Sequence, residues 1–391
     1  MRVAIVGGKL QGVEATYLAK KAGWEVTLFD KRKNAQASTL ADTFHCINIL
    51  TSPDAFLSRV KGHDFILPAI EDQEVLEFLV EAAEKTGIPL AFDRKAYELT
   101  SSKRRSNAFF QELDIPVPMP WPHCSFPLIV KPSGESGSVG VQTVTNIKEL
   151  DRLLEQKNRE DWVVEEYLEG PSYSIEVFGF NGEFRVFPIT ELEMDESYDC
   201  KRVFSPAELN YSLIDELEEL ALKLARELNL TGIMDVETIL HKGKLKVLEI
   251  DARLPSQTPT AIFHSSGINM VECIGYSFTQ GKLYIPIPRR PSPADRYAIY
   301  EHFKISEKKI AAGGEHLIAG AGPLHLLTDF FGAEEALTDY TPGKKNWVLT
   351  LITRGSTRAE AWMKRNLVIG RIQEEFNIPH FVDPYPQSLG K

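Results

Sequence analysis

Apolar and polar positions along the chain repeat with two periods, and the switches between them mark out the elements. Arg2-Val-Ala-Ile-Val-Gly7 is a short continuous apolar run, the pattern of a buried strand. Gly7-Gly-Lys-Leu-Gln-Gly12 follows, then a helix to about Ala22 and a second strand over Trp24 to Asp30. Strand, glycine turn, helix and a strand ending in an acid open a doubly wound nucleotide-type domain. Further strands are expected near His45 to Ile49 and Asp64 to Pro68. Val75, Leu76, Leu79, Val80 and Ala83 then fall at helical spacing. A short strand at Leu90 to Phe92 precedes a basic helix containing Ser101-Ser-Lys-Arg-Arg-Ser106.

Alternate prolines in Ile115-Pro-Val-Pro-Met-Pro-Trp-Pro122 cannot continue a helix and mark the clearest boundary. Beyond it come a strand over Phe126 to Pro132, a Gly/Ser loop over Ser133 to Gly140 and a strand over Val141 to Val144. An amphipathic helix from Ile147 and a strand over Asp161 to Leu168 complete this part. Residues 172–190 read as a hairpin turning at Asn181-Gly182. Leu213, Leu217, Leu220, Leu224 and Leu228 mark a long core-facing helix. In Asp235 to Asp251 apolar residues alternate with polar ones on both sides of Lys242-Gly243, a second hairpin, and partly helical sequence runs from Pro259 to about Gln280. A proline-rich link at Ile285 to Pro293 leads to strands near Tyr297 to Ile305 and Trp347 to Ile352, and to a helix over Thr357 to Phe376. The resulting division is 1–115, 123–188 and 189–391.

A chain of 391 residues exceeds one ordinary core, in keeping with that division. Its 43% hydrophobic and 25% charged content is that of a soluble globular protein. A net charge of -11 argues against nucleic acid as the main partner, because phosphate backbones need a basic surface. The four cysteines are far apart and form no CxxC, which fits a reducing cytoplasm rather than a disulfide framework or zinc site. The chain opens directly on a strand with no signal peptide, and no apolar run is long enough for a membrane span.

The chemistry concentrates in the second hairpin. Asp235 and Glu237 lie two residues apart, as do Glu249 and Asp251, so each pair shares one face of its strand. Pairing the strands gathers these carboxylates into one patch with Arg253 beside it. Such a patch needs a cation among its charges and suits Mg2+ held together with substrate phosphates. The run Arg253-Leu-Pro-Ser-Gln-Thr-Pro-Thr260 is too small, polar and proline-punctuated for a packing strand, and reads as a ligand loop. Lys131 before the Gly/Ser loop has the character of a phosphate lid, although no GKS/T opens a helix as in a Walker loop. Glu71 falls at the carboxyl end of a parallel strand, where open α/β sheets bind ligands. The first glycine turn is not GxGxxG, which counts against an NAD-dependent amino-acid dehydrogenase. A non-catalytic nucleotide sensor is the other alternative, and the intact carboxylates with Arg253 count against it. The nine histidines are scattered and make no nucleophile triad.

Together, the nucleotide-type first domain, Lys131 with its Gly/Ser loop, and Glu249-x-Asp251-x-Arg253 resemble the ATP-grasp carboxylate–amine ligases. Gly7-Gly-Lys-Leu-Gln-Gly12, Tyr198-Asp-Cys200, Gly232-Ile-Met-Asp-Val-Glu237, Glu249 to Thr260, Ser265-Ser-Gly-Ile-Asn269 and Ile299-Tyr-Glu-His302 are similar to the branch acting in pyrrolysine biosynthesis. The resemblance runs over essentially the whole chain and is weakest after about residue 305. It implies α/β and α+β architecture, an ATP-grasp fold with an N-terminal Rossmann-like domain. The implied reaction activates the carboxylate of 3-methyl-D-ornithine as an acyl phosphate, which the side-chain amine of L-lysine attacks. A rival within the class is a ligase for another amino acid or dipeptide pair.

The resemblance further implies a pair of Mg2+ ions on Glu237, Glu249 and Asp251, with Arg253 steadying the acyl phosphate. ATP would be contacted by Lys9, Asp30, Asn48, Ile49, Lys103, Lys131, Ser138, Glu165, Glu166, Tyr167 and Leu168. The ornithine-type substrate would meet Ser174, Ile175, Glu176, Asp235, Pro255, Ser256, Gln257, Thr258, Pro259 and Thr260. Lysine would meet Leu10, Gln11, Glu71 and Glu301. Asp251 stands where many members of the wider class carry Asn, and a homodimer is expected. Glu71, Glu176, Asp235 and Glu301 also suit a diamino substrate on chemical grounds, since desolvated ammonium groups need carboxylates.

Overall fold

A computed structural model describes residues 1–155, 161–285 and 296–388 of the chain. All but the first residue of the expected proline-rich link, Ile285 to Pro293, lie outside the described residues. The first sheet is four-stranded and parallel, in the order Thr43–Cys46, Glu25–Asp30, Arg2–Val6, Phe65–Pro68. Leu90 is bridged to it through Ile66. Alternation along Arg2–Val6 separates two cores: Val3 and Ile5 face the helix Leu10–Lys21 side, whereas Ala4 and Val6 pack with Phe56, Val75 and Leu79 of the helices opposite. Gly7 takes φ +105°, and a Cβ there would lie 2.2 Å from the Ala69 carbonyl oxygen. A Cβ on Gly12 would lie 2.1 Å from the carbonyl oxygen of Gly7. These glycines therefore serve the turn and the close packing of helix on strand.

The second sheet is small and antiparallel, with Leu128–Pro132 between Gln142–Val144 and Trp162–Glu166. Leu150 of the helix Ile147–Glu155 closes its core with Leu128, Val130, Val144 and Trp162. The third sheet has 12 strands. Its main path runs Lys244–Asp251, Gly232–His241, Ser172–Phe180, Thr190–Met194, Cys200–Ser205, Tyr297–Ile305, Trp347–Gly355, Ala333–Thr338, His325–Phe330. The hairpin at 172–186, grouped by sequence with the small domain, belongs to this large sheet. The reason is burial: every residue of Ser172–Phe180 is buried, and only a central strand is covered on both faces. Helix Tyr211–Glu227 covers one face with Leu217, Ala221 and Leu224. Ala96 and Phe110, from the helices Arg94–Thr100 and Lys103–Glu112, join that same core, so the end of the first sequence domain packs against the large sheet.

Helix Leu10–Lys21 is tied to the large sheet through Glu335. Tyr17 Oη and Lys21 Nζ both donate to this carboxylate, and Tyr17 Oη also lies 2.7 Å from His264 Nε2. Burial pushes the Glu335 carboxyl up, but bonds from His264, Lys21 and Tyr17 outweigh it and hold the pKa at about 2. Glu335→Gln is expected to lower the unfolding free energy at neutral pH by about 2 kcal/mol, the scale of a hydrogen-bonded charge. Because the folded pKa lies below the ordinary 4.5, that contribution is complete above the unfolded pKa and is lost as pH falls toward 2. Urea unfolding of both proteins from neutral pH into acid checks this. A stability gap that persists undiminished in acid contradicts it.

Candidate active site

The site begins with the turn at Lys242 (φ +50°) and Gly243 (φ +78°), which joins the two acidic strands directly. It pairs His241 with Lys244, and a bulge that leaves Leu248 unpaired shifts the register so that Asp235 opposes Asp251 and Glu237 opposes Glu249. The next strand adds Glu176 beside Asp235 and Ser174 beside Glu237. Period-two geometry thus lays Glu176, Asp235 and Asp251 in one row and Ser174, Glu237 and Glu249 in the next. The intervening Ile175, Val236 and Ile250 point the other way, into the core under helix Tyr211–Glu227. Ile175 is fully buried there, so its side chain is not among the substrate contacts expected from the family resemblance.

Crowded carboxylates resist ionisation. Burial, then repulsion from Glu249, pushes Glu237 up to about 7. Burial does the same to Asp251, also about 7, against the pull of Arg253. Burial raises Asp235 well above the carboxylate range and Glu176 to about 7. Cations surround the patch. Arg253 pairs with Asp251 at 2.9 Å and Glu71 at 2.8 Å, and Lys103 with Glu249 at 2.6 Å. Lys131 pairs with Glu165 at 2.7 Å; burial pulls its ammonium down, but Glu165 and Glu249 outweigh this and leave it raised. Asp235 Oδ1, Asp251 Oδ1 and Glu176 Oε2 are buried acceptors without a partner among the described residues. An all-oxygen set with orphaned anionic acceptors fits a hard divalent cation such as Mg2+.

The Gly/Ser loop closes over this patch. Ser136 Oγ donates to Glu71 Oε2 at 2.5 Å, and Ser138, at φ +57°, donates to the carbonyl of Tyr198 at 2.6 Å. Gln11 Nε2 also donates to Glu71, at 2.6 Å. Burial raises the Glu71 pKa, but Arg253 and the bonds from Ser136 and Gln11 win and hold it below the ordinary range. The segment after the lid sheet forms the far wall: Glu166 accepts from Met119 N at 2.8 Å and pairs with Lys246, and Tyr167 donates to the Gln387 carbonyl at 3.3 Å.

One cleft brings together Lys103, Lys131, Ser138, Glu165, Glu166, Tyr167 and Leu168 with Ser174, Asp235, Glu237, Glu249, Asp251 and Arg253. Pro255, Ser256, Gln257 and Thr258 line it too, while Pro259 and Thr260 turn into the buried helix Thr258–Ser266, where Thr260 N donates to Glu14 at 2.6 Å. Gln11 and Glu71 reach the cleft through Arg253 and Ser136. Leu10 lies behind the 256–257 loop, beside Val13 and Tyr300.

Two groups of expected residues lie outside this cleft, and one residue that lines it was not expected. Lys9, Asp30, Asn48 and Ile49 are not among the residues lining the cleft; both oxygens of Asp30 are taken by Gly8 N and Arg32, Asn48 Oδ1 accepts from Leu50 N, and Ile49 is core. Glu301 also stays out. It pairs across strands with Arg202, while its neighbour Tyr300 faces the cleft side, so period two turns Glu301 to the other face of the sheet. There it is fully buried between Arg202 and Arg365. Glu315, which follows an irregular Gly-Gly pair and carries no periodic signal, was not anticipated and lines the cleft against Ser256 and Gln257.

A protein-family model described as PylC-like, N-terminal domain, matches residues 3–91, and one described as D-ala D-ala ligase C-terminus matches residues 115–280. The 3-methyl-D-ornithine–L-lysine ligase of Methanosarcina mazei is 38% identical over 376 residues, covering 96% of this chain and 96% of the relative. That of Methanosarcina barkeri is 37% identical, covering 96% of this chain and 98% of the relative. Among solved structures, a biotin carboxylase–ATP-analogue complex from Campylobacter jejuni superposes with a TM-score of 0.72 at 16% identity, over 94% of this chain and 90% of that one. The fold is that of the ATP-grasp enzymes, with a Rossmann-like first domain. No helix among the described residues is long and apolar enough to cross a membrane.

The orphaned acceptors lead to a prediction that needs no turnover. Mg2+ at about a hundredfold excess over its dissociation constant should stabilise the chain by about 2.7 kcal/mol, read as a rise in thermal midpoint. Glu249→Gln, which removes the carboxylate charge that pairs with Lys103, should lose most of that rise. An equal rise in both proteins contradicts the assignment.

Proposed function

The chain belongs to the 3-methyl-D-ornithine–L-lysine ligase family, and on that premise we propose that its cleft makes the amide between these two amino acids at the expense of ATP. It is an ATP-dependent carbon–nitrogen ligase of pyrrolysine biosynthesis. The observation that carries the residue assignment is the opposed carboxylate pairs with Arg253 under a closed Gly/Ser lid. Glu237, Glu249 and Asp251 would hold a pair of Mg2+ ions, which when bound supply positive charge to the ATP phosphates. Lys103, Lys131 and Ser138 meet those phosphates, and Glu165 to Leu168 meet the adenine and ribose edge. Ser174, Glu176, Asp235 and the loop from Pro255 to Thr258 receive the ornithine-type substrate, and Glu71 with Gln11 receives lysine.

A carboxylate is a poor electrophile until one of its oxygens can leave. In the proposed sequence the ornithine carboxylate oxygen attacks the terminal phosphorus of ATP, and ADP departs. The neutral lysine Nζ, having given up the ammonium proton, then attacks the acyl carbon; inorganic phosphate departs and the nitrogen loses a further proton as the amide forms. Arg253 lies where negative charge accumulates on the transferred group, between Asp251 and Glu71, and the cleft supplies orientation and fixed charge. If Glu71 receives lysine, its ion pair with Arg253 lets both half-reactions share one guanidinium. A cytoplasmic location and a homodimer complete the proposal; sedimentation of the purified chain reads the latter.

Mass spectrometry of enzyme, ATP, Mg2+, L-lysine and D-ornithine tests the reading. The expected product has the summed mass of the amino acids less water, with one ADP for each amide. ADP without that product overturns the substrate assignment, and absence of ADP overturns the ligase. Arg253→Ala should lower kcat by about a hundredfold or more, the scale of losing one transition-state donor. Glu71→Ala should chiefly raise the KM for lysine; an unchanged lysine KM moves the amine site elsewhere.

A further inference from the structure

The wall of the cleft beyond the 255–258 loop is built from acceptors. Gln257 is 4% exposed and sits at φ +70°, left-handed backbone that costs a side chain energy and persists where the surroundings hold it. Its Nε2 is used on Glu315 Oε1 at 2.8 Å and the Cys200 carbonyl at 3.2 Å, which leaves Oε1 buried with no partner among the described residues. Ser256 Oγ donates to the same Glu315 oxygen. Glu315 Oε2 accepts no hydrogen bond among the described residues, and no Lys or Arg forms an ion pair with Glu315 among them. The Glu315 turn is clamped from behind: Asp195 accepts from Gly314 N at 2.9 Å, and Asp199 accepts from His316 N at 2.9 Å and Nδ1 at 2.7 Å. A Cβ on Gly314 would lie 2.3 Å from the Asp199 carboxyl, so the turn fits this clasp only as glycine.

We infer that Glu315 is a specificity-determining residue that takes the side-chain ammonium of the ornithine-type substrate, with Gln257 Oε1 as a second acceptor. The inference rests on the ligase reading above and adds a residue that reading leaves out. A buried acceptor with no partner beside a carboxylate that only the more distant Arg253 attracts calls for a ligand that donates hydrogen bonds and carries positive charge. The two ammonium groups of the substrate are told apart by reach. The α-ammonium is one carbon from the reacting carboxyl and must stay near Arg253, on the side of the cleft lined by Asp235. The side-chain ammonium lies three carbons farther out, which carries it to the far side of the 256–257 loop. Burial raises the Glu315 pKa, the cost of holding an anion there that an ammonium offsets.

Titration calorimetry of D-ornithine and D-norvaline, which lacks only the side-chain amine, tests this on the full chain and on Glu315→Gln. The glutamine keeps an oxygen to accept from Ser256 and Gln257, so the loop is held while the charge is removed. The wild type should bind D-ornithine roughly tenfold or more tighter than D-norvaline, the factor a modest charge-assisted bond supplies. Glu315→Gln should abolish that preference by weakening D-ornithine alone. Equal loss for both amino acids assigns Glu315 a purely structural role and overturns the inference, as does a retained preference. Glu315→Asp, which keeps the charge, should recover part of the preference if the loop variant unfolds. Failure of the ligase reading itself would appear separately, as binding without amide formation in the wild type.

Discussion

Mutual repulsion among carboxylates on the 232–251 hairpin is the constraint around which the cleft is arranged. The turn at Lys242-Gly243 pairs His241 with Lys244, and a bulge at Leu248 then shifts the register by one residue, so that Asp235 faces Asp251 and Glu237 faces Glu249. A one-residue slip would bury these charges in the core beneath helix Tyr211–Glu227. Held in register, they carry a free-energy cost, first of burial and then of mutual repulsion, that shows in the raised pKa values of Asp235, Glu237 and Asp251. Each cation nearby answers that cost, Arg253 from the same strand end, Lys103 from the first-domain side and Lys131 from the lid sheet. The three come from different parts of the chain, so the electrostatics of one hairpin joins all of them.

Glu71 shows how tight that joining is. It lies beyond the strand Phe65–Pro68 of the first sheet, yet it accepts from Gln11 of the first helix and Ser136 of the lid and pairs with Arg253 of the large sheet. A single carboxylate therefore senses lid position, the state of the guanidinium and the arrival of a cationic amine. In a ligase this coupling is chemically useful, because an acyl phosphate exposed to water hydrolyses unless its nucleophile is already in place.

Much of this was legible in the sequence because period-two alternation is unambiguous beside a glycine turn. The two same-face carboxylate pairs, the Gly/Ser lid after Lys131 and the polar loop after Arg253 follow from residue types and spacing, whereas the opposition of the pairs across the hairpin needs the bulge at Leu248, which has no local pattern. The strand Cys200–Ser205 was not legible, since Lys201 and Arg202 are fully buried in it and read as surface residues. Their burial is possible only because Glu193 from the neighbouring strand and Glu301 and Asp383, distant in sequence, converge on them. The same convergence removes Glu301 from the cleft. Ile175 fell among the expected contacts because its neighbours face the substrate side, although its own parity places it in the core. Glu315 escaped notice because its position depends on a clasp by Asp195 and Asp199 across more than a hundred residues of chain, with no local pattern.

The central claim is that the cleft turns a carboxylate into an acyl phosphate before the amine attacks. D-Ornithine labelled with 18O in its carboxylate, turned over with ATP, Mg2+ and L-lysine, tests it most directly. The account predicts that one labelled oxygen from each carboxylate appears in inorganic phosphate, with the other retained in the amide carbonyl. Label in AMP, or an amide formed with no label in phosphate, would contradict it.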